Sequence, residues 1–168
     1  MAAVEDLRDR CAEEIRRSLA LDGLDHATAR EAMLAALRFR AFPDALPLLR
    51  ELTRRGVRVV AASNWDASLP EGLEHTGLAP YLDGAVSSAV VGAAKPHPAV
   101  FQEALRQAGC TAGEAFHVGD SPGGDVEGAR AAGIRVALLD RHGVQPGPPE
   151  DVPKVASLDE VPSVIWPA

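Results

Sequence analysis

Apolar residues in the first forty positions follow a helical period. Val4, Leu7, Cys11, Ile15 and Leu19 recur at steps of three and four, which places them on one stripe. Gly23 interrupts the pattern. Thr28 and Glu31 then have the spacing of a capping box, in which each side chain takes up a free backbone N–H, and a second helix is expected to about Arg40. No strand pattern occurs in this stretch.

From Pro43 onward the pattern alternates. Asp44 to Arg55 reads as a helix with Leu46, Leu49 and Leu52 on one side and Gly56 as its stop. Val57 to Ala62 is a short apolar run, rich in β-branched residues, and reads as a buried strand. Ser68 to Glu71 is a second capping-box spacing, with Pro70 in the first turn and Gly77 at the end of the helix. Strands are expected at Gly84–Ser88, Ala115–Val118 and Ile134–Leu139. Helices are expected at Pro98–Ala108, closed by Gly109, and at Gly124–Ala132, closed by Gly133. A Pro-rich loop over Gln145–Pro153 precedes a short strand and turn of helix in Val155–Ile165. Strands that are apolar throughout, alternating with helices, imply an α/β fold with a doubly wound parallel sheet.

Ligands of such sheets bind beyond the carboxyl ends of the strands. Ser63-Asn64 follows the first strand, Lys95 lies in the loop after the second, and Gly119-Asp120 follows the third, so these polar residues belong to one edge. Asp120 and Asp125 flank a glycine-rich turn into a helix, a setting that suits a hard cation such as Mg²⁺ as well as an ordinary turn and N-cap. Lys95, one of two lysines with Lys154, could hold phosphoryl oxygens or simply be solvated. Ser63 and Asn64 could donate to phosphate through hydroxyl, amide and backbone N–H, or form a plain strand-ending turn.

Composition narrows the setting. The chain has 168 residues, 46% hydrophobic and 24% charged, which fits one domain with a small appendage. Aromatics are only 4%, so the core is expected to be mainly Ala, Val and Leu. A net charge of −7 argues against nucleic acid or an anionic membrane as partner. No apolar run approaches the roughly 20 residues of a membrane span, and Val4–Arg17 carries too much charge for a signal peptide. Cys11 and Cys110 have no metal-ligand or disulfide spacing. A cytoplasmic location is expected.

Taken together, strand–Ser63-Asn64, Lys95-Pro96, strand–Gly119-Asp120 with Asp125, and Gly128-Ala129 resemble motifs II, III and IV of the haloacid dehalogenase-like (HAD) hydrolases. The stretches Gly92–Pro98 and His117–Gly133 carry the closest likeness, and the resemblance spans residues 42 to about 140. It implies a Mg²⁺-dependent phosphatase acting on a small phosphorylated metabolite through a covalent aspartyl-phosphate. Ser63 and Asn64 would bind the phosphoryl group. Lys95 would neutralise the nucleophile and phosphoryl oxygens. Asp120, and Asp125 directly or through a neighbour, would hold the metal. The retained Gly-Asp pair favours phosphatase over dehalogenase ancestry.

The family's first motif, Asp-x-Asp after an apolar N-terminal strand, has no counterpart. Asp22-Gly23-Leu24-Asp25 has the wrong spacing and follows a helical pattern. By the resemblance, residues 1–40 are a remnant of a helical cap and residues 41–168 the core, with its central first strand missing. Three explanations are open: a truncated chain, a strand supplied by another chain, or a sheet closed up in a non-catalytic phosphate- or Mg²⁺-binding pseudoenzyme or interaction module. The missing carboxylate implies weak Mg²⁺ binding and no turnover by this chain alone. An unpaired sheet edge or exposed cap stripe would favour a homodimer.

Overall fold

A computed structural model describes residues 2–36 and 39–167, apart from the side chains of residues 2–4 and 7. The chain divides into two compact units, one ending at Arg40 and one beginning at Ala41.

In the first unit, α1 (Ala2–Ser18) packs against α2 (His26–Ala36). Arg30 ties them by pairing with Glu5 and, at 2.8 Å, with Asp9. The small residues Ala12 and Ala29 are buried. The expected apolar stripe is not the buried one: Cys11 and Ile15 are exposed, and Leu19 lies beyond the helix end. The side chains of Val4 and Leu7 lie outside the described residues. The expected Thr28–Glu31 box is also replaced. Asp25 caps α2, accepting from the Thr28 N–H at 3.0 Å and the Thr28 hydroxyl at 2.6 Å. Aspartate is as strong an N-cap as threonine, and here it sits one turn earlier. The expected extension toward Arg40 crosses residues 37 and 38, outside the described residues; Phe39 and Arg40 have no regular structure.

The second unit begins with α3 (Ala45–Arg54), which buries Leu48 and Leu52. Its end explains a shift in the first strand. Gly56, at φ 72°, turns the chain so that its N–H bonds Thr53 O and the Val57 N–H bonds Leu52 O, a Schellman closure. Val57 is thereby committed to the helix end, and β1 spans Val60–Ser63 rather than 57–62. α4 (Leu69–His75) follows, and its capping also departs from expectation. Asp66 accepts from the Ser68 N–H and hydroxyl, so Ser68 is held by an Asx turn and does not cap the helix. Next come β2 (Gly84–Ser87), the single-turn α5 (Ser88–Val91), α6 (Pro98–Ala108) and β3 (Phe116–Gly119). A π-helical turn over Pro122–Glu127 and the short α7 (Gly128–Ala131) replace the expected helix 124–132. The N–H groups of Asp125 and Val126 both reach back to Ser121 O, which widens that turn. β4 (Arg135–Leu139), β5 (Lys154–Val155) and α8 (Val161–Ile165) complete the unit.

The strands are parallel but form two sheets. β1 pairs with β2, Val60 opposite Gly84 and Ser63 opposite Ser87. β3 pairs with β4, and β4 with β5. Among the described residues β1 and β3 share no ladder and no strand lies hydrogen-bonded between them. Helices cover both faces and hold the sheets side by side. On one face Leu48 and Leu52 of α3 and Val161 of α8 pack with Val59 beside β1, Val118 on β3 and Leu139 on β4. On the other, Phe101 of α6 packs with Val126, Ala129, Val136 and Leu138, while α6 also lies on β1 and β2. The architecture is thus α/β and doubly wound, with its parallel strands divided between two sheets.

Asp44, just before α3, fastens the sequence-distant end of the unit. It accepts from Arg141 at 2.6 and 3.0 Å, from the Ser157 hydroxyl at 3.0 Å and from the Leu158 N–H at 2.9 Å. Arg141 in turn lies 4.1 Å above the Phe42 ring. The Arg141 guanidinium holds the Asp44 carboxyl down at about 2, with the Leu158 and Ser157 bonds in support and partial desolvation opposing.

Gly128 packs where no side chain fits: a Cβ there would lie 2.5 Å from the Phe101 ring and 3.0 Å from Pro96 Cα. Gly128→Ala is expected to destabilise the chain by about 1–3 kcal/mol, the usual range for overpacking. Gly113→Ala, which meets nothing within 4 Å, is expected to change stability by less than about 0.5 kcal/mol. Urea midpoints of the two variants check both values.

Candidate functional site

The site lies at the carboxyl ends of β1 and β3. After β1, the Asn64 side chain reaches into the loop before α6. Its Oδ1 accepts from the Lys95 N–H at 2.7 Å, and its Nδ2 donates to Lys95 O at 3.1 Å. This two-way grip fixes the Lys95 backbone and directs its side chain. The Lys95 ammonium donates to Ala62 O on β1 at 2.9 Å and to Asp125 Oδ1, beyond β3, at 2.6 Å. One ammonium therefore links the two sheets. The side chains of Lys95 and Asp125 are only 12% and 4% exposed.

Asp125 is held from three sides. His117 Nε2, on β3, lies 2.8 Å from the same Oδ1, and the Ser121 N–H donates to Oδ2 at 3.1 Å. The His117 ring is itself steadied by Phe101, edge-on with centroids 5.5 Å apart. The carboxylate comes this close to β3 because Gly119 has no side chain: a Cβ there would stand 2.1 Å from Asp125 Cγ. Burial alone would push the Asp125 carboxyl up. The hydrogen bonds from His117 and Lys95, with their charges, outweigh it and hold the group down at about 2.

The expected residues are thus gathered, with three changes. Lys95 is paired with Asp125, which the resemblance assigned to the metal. Asn64 uses its side-chain amide on Lys95, which leaves only its backbone N–H for a ligand. Asp120 is exposed and makes no hydrogen bond or ion pair among the described residues. Ser63 ends β1 at the same edge with its hydroxyl likewise unengaged. Among the described residues no three His, Cys, Asp or Glu side chains cluster as a metal site. Sequence reasoning missed His117 as a working residue. Its only signal was a polar imidazole inside an otherwise apolar strand. Ala62 O, a backbone atom, left no signal at all.

Two parallel sheets wound with helices on both faces, with Lys95, Ser63, Asp120 and Asp125 at their carboxyl edge, define an α/β protein of the doubly wound class. The family model for haloacid dehalogenase-like hydrolases matches residues 2–133, and the chain belongs to that family. Among its relatives is the phosphoserine phosphatase of Thermus thermophilus, 39% identical over 127 residues, covering 74% of this chain and 51% of that protein. Haloacid dehalogenase-like hydrolase domain-containing protein 3 of Danio rerio is 35% identical over 129 residues, covering 74% and 52%. The chain thus spans about half the length of these curated relatives. A 2-haloacid dehalogenase from Pseudomonas syringae superposes with a TM-score of 0.72 at 29% identity, covering 96% of this chain and 71% of that one. A HAD phosphatase from Thermococcus onnurineus shares the fold at TM-score 0.74 and 22% identity, covering 97% and 90%. Among the described residues no helix is long and apolar enough to cross a membrane.

The Asp125 linkage has a defined sign. A carboxyl held below its ordinary value of 3.8 stabilises the fold above that value, and the contribution fades as pH falls from about 4 toward 2. Between pH 5 and pH 2 the native chain is expected to lose about 2 kcal/mol more stability than Asp125→Asn. Denaturant titrations of both proteins across that range measure the difference.

Proposed function

We propose that this chain carries the phosphate- and metal-binding side of a magnesium-dependent hydrolase of small phosphomonoesters. The observation that carries this reading is the Lys95 ammonium. It is largely buried and fixed at the sheet edge, and two of its three N–H groups are committed to Ala62 O and Asp125. The third is free to meet an anionic oxygen. The unengaged Ser63 hydroxyl and the Asn64 backbone N–H supply further donors at the same edge. The phosphatase names among the relatives support the same direction, as does the Gly119-Asp120 pair that the family resemblance ties to phosphatases.

The residues fit Mg²⁺ in part. Asp120 offers an open carboxylate, and Mg²⁺ is commonly held by one or two carboxylates with waters and phosphate oxygens. Asp125 has three of its lone pairs engaged by Lys95, His117 and Ser121, so it serves mainly to hold Lys95. Bound there, the ion would neutralise phosphoryl charge. Three other aspartates among the described residues are already engaged. Asp66 is engaged by Ser68, Asp140 by Lys154 and two backbone N–H groups, and Asp44 by Arg141.

Inorganic phosphate binding to the full chain, followed by calorimetry, tests the reading. Lys95→Ala is expected to weaken it at least about tenfold, the scale of a charge-assisted hydrogen bond, and Ser63→Ala by a smaller factor. Unchanged affinity in Lys95→Ala would remove the phosphate site. Mg²⁺ alone is expected to bind with a dissociation constant on the order of millimolar or weaker, from its low ligand count. Turnover of p-nitrophenyl phosphate is expected at background; activity that survives purification and vanishes in Asp120→Asn would show that another residue serves as nucleophile.

A further inference from the structure

A cavity of about 440 Å³ lies at the amino ends of β3, β4 and β5, the opposite edge of the sheet from Lys95. Small-molecule sites commonly measure ~300–1,000 Å³ and combine an apolar lining with a few polar groups. Here Ile134, Val136 and Val152 make an apolar floor. The charged residues that line the cavity are Arg130, Arg135 and Asp151, which together leave one positive charge.

The local fold places both arginines at this edge. Gly133, at φ 75°, ends α7: its N–H bonds Arg130 O, and the Ile134 N–H bonds Ala129 O. β4 then starts at Arg135, so the helix end and the strand head border the same cavity. The two guanidinium groups differ in what they hold. Arg130 is paired with Asp151. Arg135 lies over the Phe116 ring, 5.4 Å from its centroid, and its side chain makes no hydrogen bond or ion pair among the described residues. A guanidinium on a ring face keeps its in-plane N–H groups for an acceptor, and their fork matches a carboxylate.

We propose that this cavity binds a small organic monocarboxylate with an aromatic or branched apolar body. The carboxylate takes the Arg135 fork as Asp151 takes Arg130, and the body lies on the floor of Ile134 and Val152. One negative charge balances the one positive charge in excess. A phosphate monoester, with nearly two charges, exceeds that balance beside Asp151. None of these residues belongs to the carboxyl edge, so the site stands apart from the hydrolase reading.

The test titrates benzoate into the full chain and follows proton–nitrogen correlation spectra. Saturable shifts are expected at the amides of Ile134, Arg135, Val136 and Val152, with a dissociation constant on the order of millimolar or tighter. The amides of Asn64, Lys95 and Asp120 are expected to stay in place. Benzamide, which keeps the ring and lacks the charge, is expected to bind at least about tenfold more weakly, the scale of a hydrogen bond to a charged group. The same loss is expected for benzoate with Arg135→Gln, a change at an exposed side chain that leaves the rest of the spectrum as a check on folding. Acetate, which keeps the charge and lacks the body, is expected to bind more weakly than benzoate. Equal affinity for benzoate and benzamide, or for benzoate and acetate, would overturn the proposal. So would full affinity in Arg135→Gln, shifts confined to the carboxyl edge, or no saturation at about 10 mM benzoate. Inorganic phosphate binding at the same amides more tightly than benzoate would overturn it in favour of a phosphate site.

Discussion

A single ion pair, Lys95 to Asp125, joins what the backbone leaves apart. It spans 30 positions in sequence, and its ammonium also holds Ala62 O, so the ends of the two sheets meet at one nitrogen. Removing one partner of a buried pair leaves an uncompensated charge and typically costs about 3–5 kcal/mol, whereas the intact pair contributes little net stability against an apolar replacement. Its value lies in position. The surrounding contacts follow from keeping it in place: Asn64 grips the Lys95 backbone, His117 and Ser121 hold the carboxylate, and Phe101 steadies the imidazole.

The separation of the sheets has a balanced physical basis. Strand edges left without partners favour association, yet the helices bridge the two sheets on both faces. α3 and α8 contribute one apolar cluster that includes residues of both sheets, and α6 lies over β1 and β2 while its Phe101 packs onto β4. Packing and the ion pair together keep the edges apart, and Asp44 fastens the far end of the chain to the start of α3.

Much of this was legible in the residues. The alternation of apolar runs with amphipathic helices gave the parallel α/β class, and the polar residues after three strands marked one edge as the site. Less legible was anything set by competition between neighbours. Val57 and Val59 looked like strand, but the Schellman turn at Gly56 had a prior claim on Val57. Thr28 and Ser68 had the spacing of caps, but Asp25 and Asp66 accept from them instead. The pairing of Lys95 with Asp125 depended on the wide turn after Ser121, which spacing alone does not reveal.

Gly119 has a consequence for how this site can vary over descent. Any L-residue at that position would place a Cβ 2.1 Å from Asp125 Cγ, so the substitution cannot be accommodated without moving the carboxylate. Moving it strands the Lys95 ammonium in a nearly buried pocket. Positions 95, 119 and 125 are therefore coupled, and their effects cannot add independently. A lineage that altered the glycine would have to change the aspartate and lysine in concert or abandon all three. The missing methyl group of one residue thus binds three separate stretches of sequence into a single inherited character.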